Sequence, residues 1–136
     1  GQVYIDSKGH PTVGYGFNLD DLEMRKKIPL DVIAGKRAMT TQEAQPIFIE
    51  RYNQAARDAY NYLGRDAMLK LDPQRQAIIV DMAYNMGLGK LSEFKKMKEA
   101  ILAGDNQRAA SEMMDSEWFK QTGKRAKSHV LKFGSK

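Results

Sequence analysis

Polar and apolar positions alternate with a period of two at the start of the chain. Val3 and Ile5 interleave with Tyr4 and Asp6, residues 7–11 supply turn formers, and residues 12–17 alternate again. This predicts two short antiparallel strands, with Val13, Tyr15 and Phe17 on one face of the second and Thr12, Gly14 and Gly16 on the other. The period then lengthens. Residues 20–27 suit a turn or two of helix, and residues 29–36 read as a loop because Pro29 and Gly35 interrupt the pattern. Thr40 followed by Glu43 forms a capping box, after which Ile47, Phe48, Tyr52, Ala55, Ala59 and Tyr62 recur at helical spacing until Gly64. A helix over roughly 41–63 follows, with a kink or late start expected at Pro46.

Asp72 with Pro73 is an N-cap and first-turn pair, and Ala77, Ile78, Ile79, Met82, Ala83 and Met86 form an almost wholly apolar helix ending before Gly87. Phe94, Met97, Ile101 and Leu102 mark another helix, stopped at Gly104. Asp105 caps a segment bearing Ala109, Ala110, Met113 and Met114, and a last helix over residues 124–133 turns Ala126, Val130 and Phe133 inward. Strands followed by helices predict an α+β fold in one domain over residues 1–136: a small hairpin lobe over about 1–40, a connecting helix over about 41–63 and a mainly helical lobe over about 64–136.

The 136 residues suffice for a sizeable core without staples. Cysteine is absent, which excludes disulfides, zinc fingers and thiol nucleophiles. No apolar run approaches the roughly 20 residues of a membrane helix. His10 and His129 stand far apart with no metal-binding spacing, and no phosphate-loop pattern occurs, so neither a metal nor a nucleotide cofactor is implied. Charge is uneven. Residues 1–85 balance 11 basic against 11 acidic side chains, whereas residues 86–136 carry 11 against 6 and hold the whole +5 excess. A polyanion would be attracted to that half, and charge alone does not choose between nucleic acid, an anionic membrane and a bacterial wall.

Candidate chemistry gathers in YIDSKGHPTVGYGFNL, residues 4–19. If the outgoing strand keeps its parity, Asp6 sits beside Thr12, offering a carboxylate and a hydroxyl able to hold one water. Glycines in a strand permit close approach of a ligand, which makes Gly14 and Gly16 candidates for a substrate face. This segment resembles the phage lysozymes of the T-even type, whose signature sets a Glu about nine residues before an Asp, then Thr and Gly-x-Gly. Asp6, Thr12, Gly14 and Gly16 match its later part. LDPQRQAIIVDMAYNMG at residues 71–87 is similar to the family's buried central helix, and WFKQTGKRAK at residues 118–127 is a third match in the same order.

The resemblance implies a lysozyme-like fold and a muramidase cleaving between N-acetylmuramic acid and N-acetylglucosamine of bacterial peptidoglycan, with inversion. Under it Asp6 activates or orients the attacking water, Thr12 positions that water, and the general-acid Glu belongs upstream of Gly1, in a longer polypeptide or a cleaved fragment. Asn85, Met86 and Gly87 line the cleft, Arg125 stands where the family keeps an Arg beside the Glu, and Trp118, Gln121 and Thr122 lie near it. Phe17 departs from the family's His, and the family's last helical stretch has no counterpart after Phe133. Two carboxyls about 6.5–9.5 Å apart are what an inverting glycosidase needs. The alternative is a catalytically incomplete module that binds peptidoglycan or a protein partner such as an immunity or inhibitor protein. Nucleic-acid binding rests on charge alone and is set aside. Action at the bacterial wall or periplasm follows, after delivery from the cytoplasm by lysis, virion or secretion system.

Overall fold

The structure is a computed structural model and describes residues 4–5, 11–13 and 17–135, with side chains at Phe17 and from Leu19 onward. In chain order the elements are β1 (Tyr4–Ile5), β2 (Pro11–Val13), β3 (Phe17–Asn18), α1 (Leu22–Arg25), α2 (Leu30–Ile33), α3 (Thr41–Leu63), α4 (Arg65–Lys70), α5 (Pro73–Leu91), α6 (Lys95–Leu102), α7 (Asn106–Met114), α8 (Glu117–Thr122) and α9 (Lys124–Gly134). The α+β expectation with its hairpin lobe is therefore corrected: the described chain is dominated by helix. Among the described residues strand occurs only in pieces of two or three residues, too short to bury a face of their own.

The chain separates into two compact units, Gly1–Arg51 and Tyr52–Lys136, with the boundary inside α3. In the first, β2 is central between β1 and β3, and both pairings are antiparallel. Thr12 pairs with Tyr4 on one side and Asn18 on the other, and Val13 pairs with Phe17. The chain thus reverses between Val13 and Phe17, so residues 12–17 are not the single strand that their alternation suggested. Alternating patterns carry no information on where a strand folds back.

The core of this unit is Phe17, Leu19, Met24, Ile28, Val32, Met39, Ala44 and Ile47. Of these only Phe17 lies in a strand, which is why helices rather than a β face organise the unit. Residues 29–36 are not all loop: Pro29, pre-set in φ, opens α2, and Val32 is fully buried. α3 opens at Thr41 with the reciprocal bonds of a capping box, Glu43 N–H to Thr40 Oγ1 at 3.1 Å and Thr40 N–H to Glu43 Oε1 at 3.0 Å. The helix starts at Thr41 and runs through Pro46, where the missing N–H removes one backbone hydrogen bond.

Arg37 clamps the same carboxylate, Nη1 and Nη2 donating to Glu43 at 2.7 and 2.8 Å, while its Nε donates to Asp31 at 2.7 Å. The Arg37 guanidinium, helped by the Thr40 amide, pulls the Glu43 carboxyl from 4.5 down to about 2, and Arg37 lowers Asp31 too. A depressed folded pKa adds stability that is complete above the unfolded value and is lost as pH falls through the folded one. Arg37→Gln is therefore expected to lower the thermal midpoint at pH 7, the gap to the parent closing between pH about 4.5 and about 2. A gap that stays constant across that window in melts at successive pH values would contradict it.

The second unit is built on α5. Its Ile79 and Met82 are fully buried, and around them pack Met68, Leu91, Met97, Met113, Trp118, Ala126, Val130 and Phe133. Burial pushes the Tyr62 phenol up, and its hydroxyl donates to the Phe94 carbonyl. Asp72 caps α5 through Arg75 N–H at 3.2 Å. Arg75 then reaches the far end of α9, Nε donating to the Phe133 carbonyl at 2.8 Å and Nη2 to that of Ser135, with its guanidinium 5.7 Å from the Phe133 ring centre. One arginine closes the carbonyl end of α9 and ties it to the start of α5. α4 and α8 were not foreseen from periodicity, since six-residue helices are too short to show it. Ser116 opens α8 by accepting from Phe119 N–H at 3.2 Å.

Candidate active site

Two pairs of polar residues at helical spacing meet where α5 and α9 pack. On α5, Asp81 and Asn85 are four residues apart and share a less buried face than Ile79 and Met82. On α9, Arg125 and His129 are likewise four apart, with buried Ala126 and Val130 anchoring the helix behind them. His129 Nε2 donates to Asp81 Oδ2 at 2.7 Å, because an acceptor-only carboxylate fixes that nitrogen as N–H. Arg125 Nε lies 3.4 Å from the same oxygen, and Arg125 Nη2 donates to Asn85 Oδ1 at 2.7 Å. Asn85 Nδ2 donates to the Asp81 carbonyl at 2.8 Å and closes the ring. The Arg125 side chain is 52% exposed, against 27% for Asp81 and 20% for His129. The guanidinium therefore stands at the solvent edge of the network, with Asp81 and His129 behind it.

Trp118 supports this network from α8. It is 6% exposed and stacks on His129, ring centres 6.3 Å apart and planes 9° from parallel. Neither Trp118 Nε1 nor His129 Nδ1 has a hydrogen-bond partner among the described residues, and both are buried. Gly87 sits at φ 79°, ψ 166°, a backbone region that side chains with a Cβ avoid, and breaks α5 just beyond Asn85 and Met86. A Cβ there would meet nothing within 4 Å, so backbone conformation rather than space requires the glycine. Gln121 is exposed and Thr122 half-buried, one turn beyond Trp118 on α8, and neither bonds to the network.

Of the residues expected from sequence, the structure thus brings together Asn85 and Arg125, with Trp118 joined through His129 and with Met86 and Gly87 adjoining Asn85. Thr12 lies in β2. Asp6, Gly14 and Gly16 lie outside the described residues. Asp81 and His129 were missed as site residues. Their paired four-residue spacings were visible, but the meeting of positions 48 apart was not. Among the described residues no three His, Asp or Glu side chains gather as a metal site would need. A separate open pocket of about 340 Å³, lined by Glu93, Phe94, Met97, Glu112, Asp115 and Ser116 among others, shares no residue with the network.

The phage lysozyme family model matches residues 1–132, nearly the whole chain. The chain belongs to the phage lysozyme family. Within it, the pre-baseplate central spike protein Gp5 of Enterobacteria phage T4 is 28% identical over 136 residues, covering 92% of this chain and 24% of Gp5. The chain thus spans about a quarter of the length of that relative. As a phage lysozyme family member it is a lysozyme-like module. No helix among the described residues is long and apolar enough to cross a membrane.

Proposed function

We propose that this module hydrolyses the bond between N-acetylmuramic acid and N-acetylglucosamine in bacterial peptidoglycan, with inversion. The observation that carries the reading is the family match across residues 1–132. In the mechanism, Asp6 accepts a proton from a water that Thr12 holds, that water attacks the anomeric carbon, and an acid protonates the departing glycosidic oxygen. The family resemblance assigns that acid to a Glu preceding Gly1. Asn85, Met86 and Gly87 flank the glycan in this reading, with Arg125 beside them and Trp118 behind. By the same resemblance Gly14, Gly16, Gln121 and Thr122 are further glycan-binding positions. Gp5 is named as a spike protein, which favours carriage on a virion among the routes to the bacterial wall.

Incubation with purified peptidoglycan tests the proposal. New reducing ends and soluble muropeptides are expected. Retention on sacculi with no reducing ends would instead identify a binding module and sink the hydrolase.

A further inference from the structure

We propose that Asp81 is a positioning residue that sets the orientation of Arg125 and Asn85 toward the wall glycan, with His129 as its brace. The proposal rests on the muramidase reading and goes beyond it by naming two residues that act behind the glycan-facing groups.

The geometry separates two tasks. Asp81 Oδ2 receives His129 Nε2 at 2.7 Å and faces Arg125 Nε at 3.4 Å. The His129 ring lies parallel to that of buried Trp118, centres 6.3 Å apart, which limits its rotation on that side. The carboxylate is thereby held from the interior side and grips the guanidinium on the solvent side. Arg125 would otherwise wander, being a long, half-exposed side chain. Its second anchor, Nη2 on Asn85 Oδ1 at 2.7 Å, also settles the direction of the Asn85 amide, whose nitrogen is taken by the Asp81 carbonyl at 2.8 Å. After these bonds both N–H groups of Arg125 Nη1 remain without a partner among the described residues, available to carboxylate or carbonyl oxygens of a glycan. Fixing a donor before substrate arrives removes an ordering cost from binding and from the transition state, and a misplacement of about 1 Å can cost on the order of 100-fold in rate.

Partly exposed pairs of this kind contribute little to folding stability, so a positioning role and a structural role predict different results. In the complete protein, Asp81→Asn is expected to lower kcat/KM for reducing-end release by about tenfold to 100-fold, with the thermal midpoint moved by no more than about 4 °C. His129→Gln keeps an N–H donor for Asp81 and is expected to retain more activity than His129→Leu, which keeps only bulk. Unchanged kcat and KM in Asp81→Asn would overturn the proposal, as would equal activity of the two His129 variants. If the parent releases no reducing ends, the muramidase reading fails and the positioning claim is read from retention on purified sacculi. Weaker retention of Asp81→Asn then supports it, equal retention overturns it, and a parent that neither cleaves nor binds sacculi overturns both.

Discussion

Replacing Asp6 with Asn is expected to reduce the release of reducing ends from purified peptidoglycan by about 10² to 10⁴-fold, the span that a positioned general base contributes. The substitution keeps side-chain size and removes only the capacity to take a proton. Glycoside hydrolysis divides labour between a protonated acid and a second carboxyl that activates water, so loss of the second leaves the leaving group protonated and no nucleophile prepared. Unchanged far-UV circular dichroism and thermal midpoint would show that the loss is chemical. A variant that lyses walls at the parent's rate would remove Asp6 from the mechanism and turn attention to another carboxylate.

The second large effect is on stability. Phe133 is fully buried in the last turn of α9, under the Arg75 guanidinium that also binds its carbonyl. Phe133→Ala is expected to cost about 3–5 kcal/mol, from lost transfer energy and the cavity left behind. Leu131, two residues away on the same helix, is 68% exposed, and its replacement by Ala should change stability by no more than about 0.5 kcal/mol. Urea unfolding followed by circular dichroism separates the two, and comparable midpoints would show that α9 is not held by this side chain. Because α9 carries Arg125 and His129, the Phe133 variant is also expected to lose activity at temperatures where Leu131→Ala retains it.

Much of the helical part was legible because the signals are local. Thr40 with Glu43, Asp72 with Pro73, and Asp105 each announce a helix start within four residues, and each makes its expected cap or first-turn contact. Gly64, Gly87 and Gly104 announce stops by the same economy, each at positive φ, although at Gly87 the helix resumes after the break. Short elements were not legible: α2, α4 and α8 span one or two turns, less than a period needs to declare itself. The N-terminal alternation was read as a β lobe, yet its strands are too brief to define the fold class, and α1, α2 and α3 supply Met24, Val32, Ala44 and Ile47 of that unit's core where the strands supply only Phe17.

The candidate site divides along the same line. Asn85, Met86, Gly87, Trp118 and Arg125 could be named from sequence through resemblance, since short blocks of residues carry family likeness without any knowledge of contacts. Arg125 posed a different problem, because sequence offered a guanidinium with no identified carboxylate. Its partner is Asp81, 44 positions earlier, reached only when α5 and α9 pack. Sequence by itself determined the family, the caps and most of the long helices, all of which depend on neighbours within a few residues. Tertiary structure alone decided that Asp81 would join Arg125 to His129, that Trp118 would lie parallel to that histidine, and that β3 would pair antiparallel with β2. Those outcomes depend on contacts between distant segments, whose energy is set by packing geometry rather than by local pattern.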